Sequence, residues 1–514
     1  MSAGSLYFKC PDNLTAKKFL KKLAKIVTLE IVAQEYMCKT FYDSFDSLLY
    51  THNMICEFNH SQKQSNMCLI DRKLGHMIAT EMVEDMPRFV GQCAEGRIKK
   101  LLVSSLAMRA IIPLCHLPLT VYRLNILNKD QKIVLRLQLD AYDDLNHYVR
   151  VLPLKGYDKA AEKMLSVLQA QWHFKPAKST ALDDALKSMN QAPQSYSSKF
   201  QLKLTPDTPA NEACLHIYLY LLKVINKNES GVIEDIDTEF LHDFRVAVRR
   251  TRAGLNQLKN VLPDNELAQY AEFFAWLGQI TSTTRDLDVY LLSYQDYKLI
   301  LPAEMQADLE PFYTLLKQKQ IIAQDSLVEH LTSDYYQDSL ANWQKYLNSS
   351  VRKAIKTDMG GLTVKELADK RIWKMLKRVL SEGAAINHDS PAEALHDLRK
   401  TAKKLRYLME FFASLYTPSD IKLLIKSLKQ LQKVLGDFQD YEIQEISLKQ
   451  FKKELKDNQA TENTLLAMEK LVTHLEHQRG LAREKFADRF NLFQKIEHQA
   501  QFQLLFAPAQ KVKS

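Results

Sequence analysis

Glycine is scarce, with 13 in a chain of 514 residues. That disfavours a glycine-rich phosphate loop and suits helices. The seven cysteines (Cys10, Cys38, Cys56, Cys68, Cys93, Cys115 and Cys214) form no Cys-x-x-Cys pair. An odd, scattered set argues against a disulfide frame or a zinc site, and for reduced thiols in a cytoplasm. No apolar run is long enough to span a bilayer. The most apolar stretch, 101–119, is interrupted by Arg109, Pro113, His116 and Pro118. Met1 to Leu20 holds no apolar segment of the signal-peptide kind. These absences lead us to expect a soluble cytoplasmic protein with no membrane partner. The formal charge is +9, which suits polyanionic partners without saying which.

What the chain does have is one unusual helix, His242-Asp243-Phe244-Arg245-Val246-Ala247-Val248-Arg249-Arg250-Thr251-Arg252. At about 100° per residue, His242, Arg245, Arg249 and Arg252 fall on one stripe, roughly 80° wide. Phe244, Val248 and Leu255 lie on another side and can enter a core. A row of like charges costs a few tenths of a kcal/mol per i,i+4 pair, and a multiply charged anion would offset that cost.

The same arrangement returns as His396-Asp397-Leu398-Arg399-Lys400-Thr401-Ala402-Lys403-Lys404-Leu405-Arg406, at an offset of 396 − 242 = 154. Arg245 maps to Arg399, Arg249 to Lys403, Arg250 to Lys404 and Arg252 to Arg406 without a gap. Downstream, Asp286 maps to Asp440, Asp288 to Glu442 and Leu277 to Leu431. A casual charged surface does not repeat a histidine, a basic stripe and an acidic pair in register, so the spacing predicts a duplicated helical unit.

Residues 1–174 read as mixed, with strands. Ser5 to Lys9 is a strand candidate, and Leu14 to Ile26 a basic amphipathic helix. Val121 to Leu127 and Ile133 to Leu139 alternate around Asn128-Lys129-Asp130-Gln131 as a hairpin. Lys159 to Gln171 reads as a helix. Residues 175–209, with four prolines among polar residues, read as a linker with a short helix near Leu182 to Met189. From 210 to 505 the pattern is helical, with repeats at about 210–350 and 360–505. Helices are expected at Leu215–Ile225, Leu267–Ile280, Leu287–Tyr297, Lys365–Ser381, from Pro391 with Ser390 as its cap, and at Ile421–Leu435, Asn463–Phe486 and Arg489–Leu505. Residues 506–514 read as a frayed tail.

The two His-x-x-Arg-x-x-x-Arg/Lys-Arg/Lys-x-Arg helices are followed by Arg285-Asp286-Leu287-Asp288 and by Leu435-Gly436-Asp437-Phe438-Gln439-Asp440, each read as an acidic turn. Together they resemble the CHAD family, the conserved-histidine α-helical domain, over about 210–505. The resemblance implies two pseudo-symmetric helical bundles around a basic channel that binds inorganic polyphosphate, and an association with polyphosphate granules. Position by position it nominates His242, Arg245, Arg249, Arg250, Arg252, His396, Arg399, Lys403, Lys404 and Arg406, with Lys400 as an extra basic position. Asp286, Asp288 and Asp440 are expected to support the basic side chains. Arg285 has Gln439 as its counterpart, so the repeat is not strictly symmetric there.

Residues 1–174 resemble a CYTH, or triphosphate tunnel, domain at Phe41-Tyr42-Asp43-Ser44-Phe45-Asp46, at Leu137-Gln138-Leu139-Asp140 and at Pro153-Leu154-Lys155-Gly156-Tyr157. That implies an antiparallel β-barrel whose charged lumen binds triphosphate with a divalent metal. The family opens with Glu-x-Glu-x-Lys, however, where this chain has Ser5-Leu6-Tyr7-Phe8-Lys9. Both carboxylates are gone, and metal-assisted hydrolysis needs such ligands.

The expected architecture is therefore α+β and multidomain: an N-terminal antiparallel barrel of degenerate CYTH type, then an all-α domain of two pseudo-symmetric bundles. The expected function is polyphosphate binding without a cofactor, metal site or catalytic residue. Two alternatives stand beside it. One is a triphosphatase in the barrel, using Mg²⁺ or Mn²⁺ and other carboxylates such as Glu30, Glu35 or Glu57. The other is nucleic-acid binding through the same basic stripe, although the basic helices carry few aromatics for base stacking.

Overall fold

The computed structural model describes residues 7–73, 75–177, 180–193, 196–197, 199–350 and 357–507. Ser5 and Leu6, in the first expected strand, and the tail from 508 lie outside the described residues. The chain divides into two compact units, Met1–Ser198 and Lys199–Ser514.

The first unit holds strands β1 (Tyr7–Lys9), β2 (Thr28–Asp43), β3 (Met54–Ser61), β4 (Ser65–Asp71), β5 (Met77–Met82), β6 (Ile112–Leu127), β7 (Ile133–Tyr142), β8 (Tyr148–Pro153) and β9 (Lys175–Pro176). Its helices are α1 (Ala16–Ala24), α2 (Leu48–Thr51), α3 (Arg97–Leu106), α4 (Asp158–Ser166) and α5 (Ala181–Ser188). The strands form one antiparallel sheet in the order β5-β4-β3-β2-β6-β7-β8-β1-β9. The β6–β7 turn is set by Asn128, whose Oδ1 accepts from the Asp130 and Lys132 amides at 3.0 and 2.9 Å.

The sheet is not closed, which corrects the expected barrel. One of its edges is β5. The other is β9, of two residues, and Pro176 there has no N–H to offer a further strand. A helix covers one face instead. Ala181, Leu182, Ala185 and Leu186 of α5 pack on Phe41, Ile55, Leu119, Tyr142 and Tyr148. Residues 175–209 therefore contribute a strand and a packed helix to the first unit, whose boundary falls at 198. The opposite face carries Phe8, Leu135, Leu137, Leu139 and Val149 against Phe19 of α1 and Met164 of α4. This alternation places Tyr7 and Lys9 on the α5 side and Phe8 on the other.

The second unit is helical: α6 (Ala210–Ile233), α7 (Thr238–Gln257), α8 (Asp264–Ile280), α9 (Ser282–Ile300), α10 (Glu310–Leu331), α11 (Asp334–Ser350), α12 (Val364–Ala384), α13 (Ala392–Phe411), α14 (Pro418–Asp457), α15 (Glu462–Phe493) and α16 (Ile496–Phe506). No helix among the described residues is long and apolar enough to cross a membrane. Asp237 caps α7 by accepting from the Glu239 and Phe240 amides. Pro391 itself occupies the N-cap position of α13. Ser390 does not cap it, because its hydroxyl is engaged with Asn387. The acidic pairs lie inside α9 and α14, not in turns, since both stretches keep helical periodicity through them. Where the first half breaks at Thr281 between α8 and α9, the second runs on as one helix of 40 residues.

The bounds of α7, shifted by 154 residues, are those of α13. Each helix buries one apolar stripe, Leu241, Phe244 and Val248 in α7 and Leu395, Leu398 and Ala402 in α13. α6 packs on α7, α12 on α13, and α7 on α13. Phe244→Ala and Leu398→Ala, made separately at these corresponding and fully buried positions, should each destabilise the helical unit by about 2–5 kcal/mol. Thermal unfolding followed by far-UV circular dichroism checks this, and an unchanged Tm for either variant would contradict the packing described.

Candidate anion-binding site

The contact of α7 with α13 brings two basic faces together. A cavity of about 370 Å³ lies there, lined by His242, Arg245, Arg249 and Arg399 with Arg285, Asp286 and Asp440. Six of the residues expected from sequence, four basic candidates and two supporting acids, thus share one wall drawn from both repeats.

Arg245 is held by neutral groups. Its Nη1 donates to Thr281 Oγ1 at 2.7 Å and to the Gly278 carbonyl at 3.2 Å, and both terminal nitrogens reach Ser282 Oγ at 3.3 Å. The break between α8 and α9 supplies these acceptors. Burial, followed by the neighbouring Arg249, pulls the Arg245 pKa down to about 10. Lys403, from α13, is affected likewise: burial, then Arg399 and Arg249, lower its pKa to about 8. Among the described residues, no carboxylate pairs with Arg245, Arg249 or Lys403. The buried Nε atoms of Arg249 and Arg399 have no hydrogen-bond partner. Buried donors of this kind are costly unless something accepts from them.

The other expected residues are placed differently. Arg399 donates to Gln439 Oε1 at 2.5 Å and to Asp440 Oδ1 at 3.0 Å. Arg250 pairs with Glu410 across the helix contact at 2.9 Å, and Arg406 Nε lies 3.8 Å from the same carboxylate. These two arginines join the helices and are not on the cavity wall. Arg252 is exposed and lies across Gly278, where an added Cβ would come within 2.7 Å of its Nη1. Lys404 is half-buried and off the wall, and Lys400 is exposed in a pair with Asp397 at 3.0 Å. Asp288 is buried and accepts from Gln320 at 3.4 Å. Burial, then Asp235, raises its pKa to about 7.

The two histidines differ. His242 Nδ1 accepts from Arg285 Nη2 at 3.2 Å, while His396 Nε2 lies 2.7 Å from Glu442 Oε2. Arg285 also donates to the Thr238 carbonyl. Sequence reasoning left Arg285 out of the site. Its place beside Asp286 was the available signal. Glu410 gave none, because Arg250 is 160 residues away.

In the first unit, Lys39 is buried between Glu57 at 3.4 Å and Asp140 at 3.7 Å. Burial works against its charge, but the two carboxylates together hold its pKa above the ordinary lysine value. Lys9 pairs with Asp184 of α5 at 2.5 Å, and Tyr148 donates to the same carboxylate at 2.6 Å. Tyr7 stacks on Tyr148 with ring centroids 5.0 Å apart. Glu35 faces Arg123 at 3.5 Å, and Glu30 accepts from Asn125 at 2.9 Å. Among the described residues no three histidine, cysteine or acidic side chains converge as a metal site.

Residues 217–449 match the family model of the CHAD domain. The chain carries a CHAD domain. The crystal structure of the CHAD domain from the plant Ricinus communis is 24% identical, with a TM-score of 0.46, over 60% of this chain and 97% of that one. PptA from Streptomyces chartreusis is 13% identical, with a TM-score of 0.43, over 55% of this chain and 100% of that one. The putative adenylyl cyclase HpAC1 from Hippeastrum, described as having a dominant triphosphatase activity, is 12% identical with a TM-score of 0.26. That match covers 37% of this chain and 98% of that one. No curated protein matches.

The electrostatics of the CHAD domain give a test. Lys403 has a pKa of 10.5 when unperturbed and about 8 when folded. The unfolded chain therefore binds the extra proton between these values, and stability rises with pH across that window as repulsion is relieved. Lys403→Met should raise Tm at about pH 7 and give a smaller gain near pH 10. Thermal melts at both pH values check it, and a loss of stability at neutral pH would contradict the account.

Proposed function

We propose that the CHAD domain binds linear inorganic polyphosphate through the cation cluster of α7 and α13, without chemistry. The observation that carries this reading is that, among the described residues, no carboxylate pairs with Arg245, Arg249 or Lys403, although burial and neighbouring cations disfavour the charge of Arg245 and Lys403. Guanidinium forks match phosphate oxygens in bidentate fashion, and a lysine adds a point charge. A polyphosphate chain is charged along its length, so it suits a row of cations contributed by two helices.

The two basic helices fit a duplicated, two-fold arrangement. Ala210 N donates to Leu362 O, and Val364 N donates to Thr208 O, both at 2.8 Å. These two bonds exchange into each other under the offset of 154, as a two-fold axis between repeats requires. The CHAD domain then offers a linear anion similar cations on both sides. In the first unit, Glu57 and Asp140 are committed to Lys39, and Tyr7 replaces a carboxylate. That supports a binding role for the chain over a metal-dependent triphosphatase, which needs free hard oxygen ligands.

Polyphosphate binding by the whole chain should weaken steeply with salt. Replacing Arg245, Arg249, Arg399 and Lys403 together by alanine should cut the slope of log K against log salt by about 3. Titration calorimetry at two salt concentrations measures both. Retained affinity with an unchanged slope would sink the proposal, and metal-dependent phosphate release from tripolyphosphate would restore the enzyme reading.

A further inference from the structure

A second cavity, of about 840 Å³, adjoins the cation cluster and shares Asp286 and Tyr290 of α9 with it. Along α14 the lining passes from Ile443 and Gln444 in the first cavity to Ser447 and Phe451 in the second. The two are therefore consecutive stretches of one groove, about one helical turn apart. Its chemistry changes along its length. One end presents Arg245, Arg249 and Arg399. The other presents aromatic carbon from Trp276, Tyr290 and Phe451, amide and hydroxyl groups from Gln279, Gln450 and Ser447, and the Lys319–Glu454 ion pair at 2.8 Å. Asp286 stands between them. Lys319 at the second end is taken up by Glu454, and the carboxylate at the junction repels a bare phosphate chain.

We propose that this groove takes nucleoside 5′-polyphosphates, with phosphates among the arginines, sugar hydroxyls at Asp286 and the base in the cavity bounded by α8, α9, α10 and α14. A carboxylate accepts from a pair of hydroxyls and donates nothing, so it suits a sugar where it does not suit a phosphate. A base needs both flat apolar contact and hydrogen-bonding edges, and the wall offers both. An acyl chain would leave the amides and hydroxyls of that wall unpaired, at a cost. The cavity lies within the size range of small-molecule sites, about 300–1,000 Å³. The inference rests on the cation cluster being an anion site.

The test is titration of the full chain, without metal, using tripolyphosphate and adenosine triphosphate. Adenosine triphosphate should bind about tenfold tighter, the worth of one stacked base, although it carries less charge. Ser326 is exposed on α10 and lines only the second cavity. Ser326→Trp should fill the base end, abolish the nucleotide's advantage and leave tripolyphosphate affinity unchanged. Thr283→Trp, from α9, does the same if the first variant fails to fold. Equal or weaker nucleotide binding, or an advantage that survives both variants, overturns the inference while the polyphosphate reading stands. If neither ligand binds and long-chain polyphosphate also fails to bind, both readings fall.

Discussion

Two helices that each carry a row of positive charge repel one another, yet α7 and α13 are packed in contact. Glu410 makes this possible. Its carboxylate lies between Arg250 of one helix and Arg406 of its own, largely shielded from water. Beneath it the apolar stripes of both helices face their own hairpin partners, α6 and α12, and supply the burial that outweighs the residual repulsion. Removing Glu410 would take from Arg250 its carboxylate partner in a poorly hydrated place. The Arg250–Glu410 pair joins α7 to α13, the helices that carry Arg245, Arg249, Arg399 and Lys403.

Much of this arrangement was legible because helical periodicity and an exact offset act locally. The spacing placed His242, Arg245 and Arg249 on one face, and the repeat gave α13 the bounds of α7. What the spacing could not say is which cations are satisfied. Arg250 and Arg249 are adjacent in sequence, but one meets a carboxylate from another helix and the other meets none. That distinction comes from tertiary neighbours 160 residues away. The break at Thr281 was equally invisible, although its hydroxyl and that of Ser282 hold Arg245. In the first unit the strand signals around Asn128 were local and readable. The role of α5 was not, because proline-rich flanks make a short packed helix look like part of a linker.

The two units treat buried charge in opposite ways. In the sheet unit, Lys39 is enclosed by two acids, and Lys9 is met by Asp184 from α5. Both of these lysines have their counter-charge within the chain. In the CHAD domain Arg399 is met by Asp440, but among the described residues no carboxylate pairs with Arg245 or Lys403, and burial beside neighbouring cations lowers the pKa of both. A protein tolerates that cost where the missing partner comes from outside, since electrostatic strain in the unbound state favours the bound one.

The interrupted α8–α9 segment and the uninterrupted α14 also give the cavity a direction. The break lets neutral hydroxyls and a carbonyl fix Arg245 without cancelling its charge. The continuous helix offers no such groups, so Arg399 is fixed by Gln439 and by the Asp440 carboxylate, which cancels part of it. Glu410 and Glu442 add further negative charge on the same side. The two ends of the cavity therefore hold their arginines by different means, neutral groups at Arg245 and a carboxylate at Arg399.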